Sequence, residues 1–359
     1  MILDYLIYKL TEENPPEVNA AKCINSSGGI IECNICKEYC PEHAILFKDK
    51  SVVFDNKLCT KCGICKVKCP TQAVKIKEIG EENILINAGE KKNLVFSCSL
   101  EETIGNLNIS CLNALHSELI SSLFILYKEK KIHFNLSKCK KCEMGYKDDL
   151  FRENLNKAVN FTKSLGIDPV YELHTEENEL PDLICEEISR RNLFKLVKKE
   201  SSNVVLKTLN TVINAEDNQL LSRNVLIKSI ESIKLNNEKN YTDIFWEYWD
   251  VNASCDGCGK CEAICPENAW KLEKTAAAIK LYHKFSNCYK CGLCEKVCHN
   301  KAITKGFDNF GLLEFKLKRE INLSTCKLCN EKFISDSQDD ECDVCKKKEL
   351  LRRKISKSI

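Results

Sequence analysis

No stretch of the chain approaches the ~18 consecutive apolar residues that a membrane-spanning helix requires, so no membrane span is expected among its 359 residues. Neither charge is in excess: 54 Lys and Arg face 52 Asp and Glu, a formal charge of +2. That balance removes any global argument for nucleic acid or an anionic membrane as partner, and it omits the negative charge that ligated thiolates would add. Met1 to Leu10 lacks a basic n-region and a small-residue cleavage site and carries Asp4 and Lys9, so no export signal is read there. Ser189 to Lys195 has the look of a twin-arginine export motif, but it lies mid-chain with no apolar segment behind it, and reads as the start of a surface helix. Also missing are the G-x-x-x-x-G-K-S/T phosphate loop, the G-x-G-x-x-G dinucleotide fingerprint and the H-E-x-x-H zinc motif. No nucleotide or hydrolytic chemistry is visible, and the chain is expected to lack a catalytic site of its own.

What the chain has in abundance is cysteine, 25 in all, nearly every one in a short-spaced group. A disulfide framework belongs to small secreted chains, and the odd total fits it poorly. The groups therefore predict metal ligation in a soluble, cytoplasmic protein whose thiols stay reduced.

Cys59, Cys62, Cys65 and Cys69, followed by Pro70, form C-x2-C-x2-C-x3-C-P, and Cys255, Cys258, Cys261, Cys265 and Pro266 repeat it. The spacing resembles that of bacterial two-cluster ferredoxins, in which three thiolates on one tight turn hold one corner of a cluster and the fourth ligates the other cluster. Such motifs come in pairs. Cys288, Cys291, Cys294 and Cys298 pair with the third motif, with His299 standing where proline is usual; His299 reads as a replaced turn residue, because four cysteines already saturate each site. The exchange implies one [4Fe-4S] cluster on Cys255, Cys258, Cys261 and Cys298, and another on Cys288, Cys291, Cys294 and Cys265. Gly63, Gly259 and Gly292 each follow the second cysteine of a motif, where a missing β-carbon eases close approach of the backbone.

The remaining motif is irregular. Cys33, Cys36, Cys40 and Pro41 supply its last ligands, but Ile30 stands at the first position. Cys23 is the candidate substitute, brought back by the flexible Ser26-Ser27-Gly28-Gly29 segment. Cys23, Cys33, Cys36 and Cys69 would then hold one [4Fe-4S] cluster, and Cys59, Cys62, Cys65 and Cys40 the next. The alternative is a free Cys23 beside a labile three-iron cluster.

Between the two modules the pattern alternates. Leu94 to Phe96, Asn108 to Ser110, Ile132 to Leu136 and Val170 to Leu173 read as strands; Ser117 to Lys131 and Asp149 to Leu165 read as amphipathic helices, the second ending at Gly166. Cys98, Cys111, Cys139 and Cys142 fall at strand ends, which converge in such a layout. This region resembles the delta subunit of methyl-viologen-reducing hydrogenases. The resemblance implies a [2Fe-2S] cluster and a relay between a hydrogenase and a disulfide reductase. It departs from that family in having no cysteine pair after the first strand and in the close spacing of Cys139 and Cys142. A fifth metal centre and ordinary buried cysteines both remain open. Cys185 stands alone and reads as structural.

Near the end, Cys326, Cys329, Cys342 and Cys345 form two C-x2-C pairs twelve residues apart, the spacing of a zinc ribbon or a rubredoxin-like site. Zinc is preferred to a single iron, since a structural knuckle needs no redox function. The basic tail, Lys346 to Lys357, reads as a solvated helix.

The expected fold class is α+β and multidomain: a ferredoxin-like module with two clusters (1–92), a small α/β domain (93–185), a helical connector free of Gly and Pro (186–246), a second two-cluster module (247–320) and a zinc-ribbon-like segment with the tail (321–359). The expected function is electron transfer by a polyferredoxin-like carrier or relay subunit. Its partners would be redox proteins, a dehydrogenase or hydrogenase and an acceptor, with no nucleic acid. A catalytic or bifurcating oxidoreductase subunit is the alternative, and a redox-sensing, nucleic-acid-binding regulator a third reading that the near-neutral charge opposes.

Overall fold

A computed structural model of the chain describes residues 16–26, 31–76, 80–142, 145–146, 148–176, 178, 180, 222–233, 245–306, 313–335 and 340–356. Met1 to Leu10, the Ser27 to Ile30 part of the loop behind Cys23, Cys185, the twin-arginine look-alike and most of the expected connector lie outside the described residues. The chain divides into two compact units, Met1–Phe245 and Trp246–Ile359.

In the first unit, β1 (Glu17–Val18), α1 (Ile35–Glu38), β2 (Ile45–Lys48), β3 (Ser51–Phe54), α2 (Ile64–Lys68) and β4 (Val74–Lys75) follow in order. β2 and β3 form an antiparallel hairpin, and β1 pairs antiparallel with β4. Asp49 and Lys50 both take positive φ (48° and 64°), which turns the hairpin in two residues and matches the twist of its strands.

Next come α3 (Glu81–Glu90), β5 (Leu94–Cys98), β6 (Leu107–Ile109), α4 (Ser117–Leu126), β7 (Ile132–Asn135), α5 (Asp149–Ser164), β8 (Tyr171–His174) and α6 (Ser222–Ser232). The four strands make a parallel sheet in the order β6-β5-β7-β8. All five residues of β5 are buried, as expected of an apolar central strand. Phe96 stacks on Phe134, with ring centres 5.4 Å apart, and Phe134 meets Phe151 of α5 at 4.9 Å. Phe151, Leu155, Ala158, Val159 and Thr162 form the buried stripe of α5. That helix stops in a Schellman motif: Gly166 takes φ 79°, its N–H donates to the Lys163 carbonyl, and the Ile167 N–H reaches back to Thr162.

The helix expected over Ser117 to Lys131 ends five residues early, at Leu126. Lys130 is drawn away instead, its Nζ donating to the carbonyls of Ala88, Gly89 and Lys91 at 2.9, 3.2 and 2.6 Å. These are the orphan acceptors at the end of α3, which a cation satisfies well.

The first cysteine module and the parallel sheet share packing within this unit. Ala114 joins a cluster with Cys36, Ile45, Cys65, Val74 and Ile76, while Cys62 and Ile64 pack with Cys98, Cys111 and Tyr146. Segments 1–92 and 93–185 thus lie in one compact unit.

The second unit repeats the smaller pattern. β9 (Trp249–Val251) pairs antiparallel with β12 (Ile303–Lys305), and β10 (Trp270–Lys274) forms a hairpin with β11 (Ala278–Lys284). Short helices α7 (Lys260–Ile264) and α8 (Leu293–Val297) carry the motifs. β13 (Phe315–Thr325) extends the hairpin sheet through residue 320 into the tail segment, β14 (Lys332–Ile334) adds an edge, and α9 (Asp343–Ser356) ends the unit. Among the described residues no helix is long and apolar enough to cross a membrane.

Candidate metal centres

The three regular motifs share one backbone device. Lys61, Gly257 and Lys290, just before the second cysteine, have φ of 56°, 66° and 58°, and Gly63, Gly259 and Gly292, just after it, have 85°, 81° and 73°. Two left-handed residues flanking the second cysteine close the loop tightly and start α2, α7 and α8. Glycine is needed after that cysteine because the left-handed region penalises a β-carbon; a β-carbon on Gly292 would otherwise meet nothing within 4 Å. The irregular motif runs differently: Asn34 has φ −120°, and α1 begins at Ile35.

A second repeat follows each fourth cysteine. The backbone N–H of Ala44, Ala73, Ala269 and Ala302 donates to the Sγ of Cys40, Cys69, Cys265 and Cys298 at 3.3, 3.2, 3.3 and 3.2 Å. Each alanine lies four residues after its cysteine and is at most 1 % exposed. The residue before each alanine has positive φ: His43, Gln72, Asn268 and Lys301, at about 50°. The turn after Cys298 keeps this geometry with His299 in place of proline, and the exposed His299 Nε2 lies 3.1 Å from the Asp256 carboxylate.

Four cavities of about 330 to 360 Å³ open beside these turns. Cys23, Cys33, Cys36 and Cys69 line one, and Cys40, Cys59, Cys62 and Cys65 another. In the second unit one is lined by Cys255, Cys258, Cys261 and Cys298, the other by Cys265, Cys288, Cys291 and Cys294. Each cavity thus gathers three thiols of one motif and one from its partner. Carbon dominates the rest of each wall: Val18, Ile24, Val52 and Val74 in the first, Leu272, Leu281 and Ile303 in the third.

Burial pushes the Cys36 and Cys261 thiols up to about 12 and Cys291 to about 11, with mutual repulsion among neighbouring thiolates adding to it. Cys65 and Cys294 are raised further for the same reason. Backbone N–H groups work in the opposite direction, Ile35 on Cys33, Ile64 on Cys62 and Leu293 on Cys291. A crowd of buried thiols that resist ionisation together, each offered amide donors, is the donor set a multivalent cation stabilises. The residues present fit a cysteine-ligated iron-sulfur cluster at each cavity.

The middle cysteines meet less closely. The Cys98 thiol donates to the Ser110 carbonyl at 3.0 Å, and Cys111 beside it holds Cys98 down at about 7 while being driven up itself. The Cys142 thiol lies 3.0 Å from the Glu101 carboxylate, and burial pushes Cys139 up to about 12. Cys98, Cys111, Cys142 and Cys62 belong to one packed cluster, whereas Cys139 packs against the sheet core. Above them Tyr146 donates to Glu42 at 2.5 Å and lies 2.9 Å from the Thr60 hydroxyl, tying this region to the Cys59–Cys62 turn.

At the end of the chain the four thiols of Cys326, Cys329, Cys342 and Cys345 come within 4.8 Å of one another. Cys329 and Cys342 are 3.8 Å apart, which is the ~3.8 Å edge of a tetrahedron with metal–sulfur bonds of ~2.3 Å. The Cys342 N–H donates to Cys326 Sγ at 3.3 Å and holds that thiol down at about 6. Hydrogen bonding with Cys329 pushes the Cys345 thiol the other way, up to about 12.

The recurring alanine was legible as a four-fold C-x3-A repeat but carries no chemistry of its own, so spacing arguments built on ligands pass over it. The contact of the Trp270 indole N–H with the Cys294 sulfur had no signal in the sequence.

A family model described as a 4Fe-4S dicluster domain matches residues 254–302, and one described as a 4Fe-4S binding domain matches residues 52–75. No curated protein matches the chain. Cys23, Cys33, Cys36 and Cys40 precede the second matched stretch. The protein therefore carries 4Fe-4S ferredoxin-type domains at two places, and these domains point to an iron-sulfur protein of electron transfer.

Proposed function

We propose that the chain is an electron relay holding four [4Fe-4S] clusters, which passes electrons between cytoplasmic redox enzymes such as a dehydrogenase or hydrogenase and an acceptor. The observation that carries this reading is the set of four cavities, each lined by four cysteines drawn from two paired motifs. Cys23, Cys33, Cys36 and Cys69 would hold one cluster, Cys40, Cys59, Cys62 and Cys65 the second, Cys255, Cys258, Cys261 and Cys298 the third, and Cys265, Cys288, Cys291 and Cys294 the fourth. Such clusters supply one-electron transfer, and four cysteines per cluster leave no iron position for substrate. The chain's own part is to exclude water with apolar walls and to aim amide N–H groups at the sulfurs, both of which set reduction potential.

Cys326, Cys329, Cys342 and Cys345 would hold zinc as a structural ion. Cys98, Cys111, Cys139 and Cys142 are the candidate ligands of a further [2Fe-2S] cluster, a reading supported by the packing of three of them around Cys62.

The test is iron, acid-labile sulfide and zinc content of anaerobically purified protein, with low-temperature electron paramagnetic resonance after dithionite reduction. Four cubanes require about sixteen irons and sixteen sulfides per chain. About two further irons would add the [2Fe-2S] centre. Zinc without sulfide, in protein never exposed to air, would overturn the electron-transfer reading.

A further inference from the structure

The parallel sheet carries a donor set of a different chemistry from the cysteines. In its outer pair of strands, His133 of β7 stands opposite Glu172 of β8, and Asn135 opposite His174. The two-residue pleat puts His133, Glu172 and His174 on one face, while Ile132, Phe134, Tyr171 and Leu173 turn to the apolar core on the other. His133 Nδ1 lies 2.9 Å from His174 Nε2. Glu172 Oε2 is 3.5 Å from the first nitrogen and 3.7 Å from the second. Both imidazoles are buried and the carboxylate sits at the surface, so the group is open from one side only.

Ligand atoms held ~2.0–2.1 Å from a tetrahedral ion are about 3.3 Å apart. Two of the three separations are within a few tenths of that edge, and the His–His distance needs to widen only slightly. We infer that His133, His174 and Glu172 form a thiol-free site for a divalent transition-metal ion, with a fourth position left to water. Two imidazoles and a carboxylate are borderline to hard donors, which suit zinc, ferrous or nickel ions better than the soft ions that thiolates select. Lys131 Nζ, 2.6 Å from Glu172 Oε2, fixes the carboxylate from outside, the role that outer partners commonly play at metal sites. Glu172 Oε2 is thus shared: it accepts from Lys131 on one side and faces both imidazole nitrogens on the other.

The experiment uses the full chain, purified anaerobically with its clusters, and zinc as the probe. Replacing Cys326, Cys329, Cys342 and Cys345 by serine removes the four-thiol site near the end of the chain; after equilibrium dialysis against micromolar zinc, bound metal and iron are counted and the zinc X-ray absorption edge is recorded. The expected result is one zinc per chain, surrounded by imidazole and oxygen with no sulfur. Adding Glu172→Gln or His174→Ala should cut zinc affinity at least about ten-fold, the cost even of losing an outer-shell partner, with iron content unchanged as the sign that the fold persists. If the serine variant does not fold, the same comparison is made on the intact chain, where a second zinc should be lost in Glu172→Gln. Absence of bound zinc, sulfur in its shell, or indifference to both substitutions would overturn the assignment.

Discussion

Arg223 of α6 reaches Glu118 of α4 at 2.6 Å across 105 positions of sequence, and both side chains are buried. The same guanidinium donates to the Phe245 carbonyl at 2.7 Å, and Gln72, three residues after Cys69, donates to the other Glu118 oxygen at 2.8 Å. Beside it Glu81 accepts from Lys66, the neighbour of Cys65, and from Ser222. The start of α6 is thereby anchored to two carboxylates that also hold the turns of the first cysteine module. Burial opposes ionisation of Glu118, but Arg223 and His116 outweigh it and keep the carboxyl below its ordinary range. Arg223→Met strands a buried charge and should cost about 3–5 kcal/mol. Denaturant unfolding followed by circular dichroism checks this, and adding Glu118→Gln should recover part of the loss; an unaltered midpoint in the single variant would show that the pair contributes nothing.

His283 gives a pH dependence with a definite sign. Its ring is fully buried between Trp270 and Phe285, at 4.4 and 5.2 Å, and burial, helped by Lys318, holds its pKa down at about 3. The unfolded chain protonates that imidazole near pH 6.5 while the folded one does not, so its contribution is complete above that pH and is lost as pH falls toward 3. The loss should run at up to ~1.4 kcal/mol per pH unit within the window. His283→Leu should flatten the pH dependence of stability between pH 6.5 and 5 relative to wild type. Equal slopes for the two proteins would refute the buried, neutral ring.

Trp270 should tune one cluster potential. Its indole N–H donates to the Cys294 sulfur, and a donor at a cluster sulfur favours the more negative, reduced state. Trp270→Phe removes the donor while keeping an aromatic wall. The potential of one cluster should fall by tens of millivolts, since ~1 kcal/mol corresponds to about 40 mV for one electron. A redox titration followed by electron paramagnetic resonance reads it, and potentials unmoved or raised would exclude this role.

The terminal knuckle should fail independently of the clusters. Cys342→Ser removes one of the four gathered thiols and leaves in place the backbone N–H that donates to Cys326 Sγ. Zinc should be lost and the helical signal of α9 with it, because such small segments draw their folding energy from the metal. Iron and sulfide should be retained in full. Loss of cluster iron in this variant would show that the segment supports the ferredoxin-type module rather than itself alone.

Much of the local architecture was legible from spacing. The strands and helices of the parallel sheet, to within a few residues, and the cysteine triplets at three-residue spacing depend on short stretches of chain. A C-x2-C-x2-C turn closes on itself whatever surrounds it, and the end of α5 is written in Gly166. The early end of α4 was not legible, because Lys130 is recruited by carbonyls of a helix forty residues earlier.

The sequence by itself determined which thiols of one motif could share a metal, since ligand spacing acts over three or four residues of backbone. Only the tertiary structure decided that Arg223 meets Glu118, that Cys62 packs against Cys98 and Cys111, and that His133 faces Glu172 and His174. Those meetings depend on which strands become neighbours in a parallel sheet and which helix covers it. Such a choice is made by burying apolar area over the whole unit, and no local pattern of residues records it.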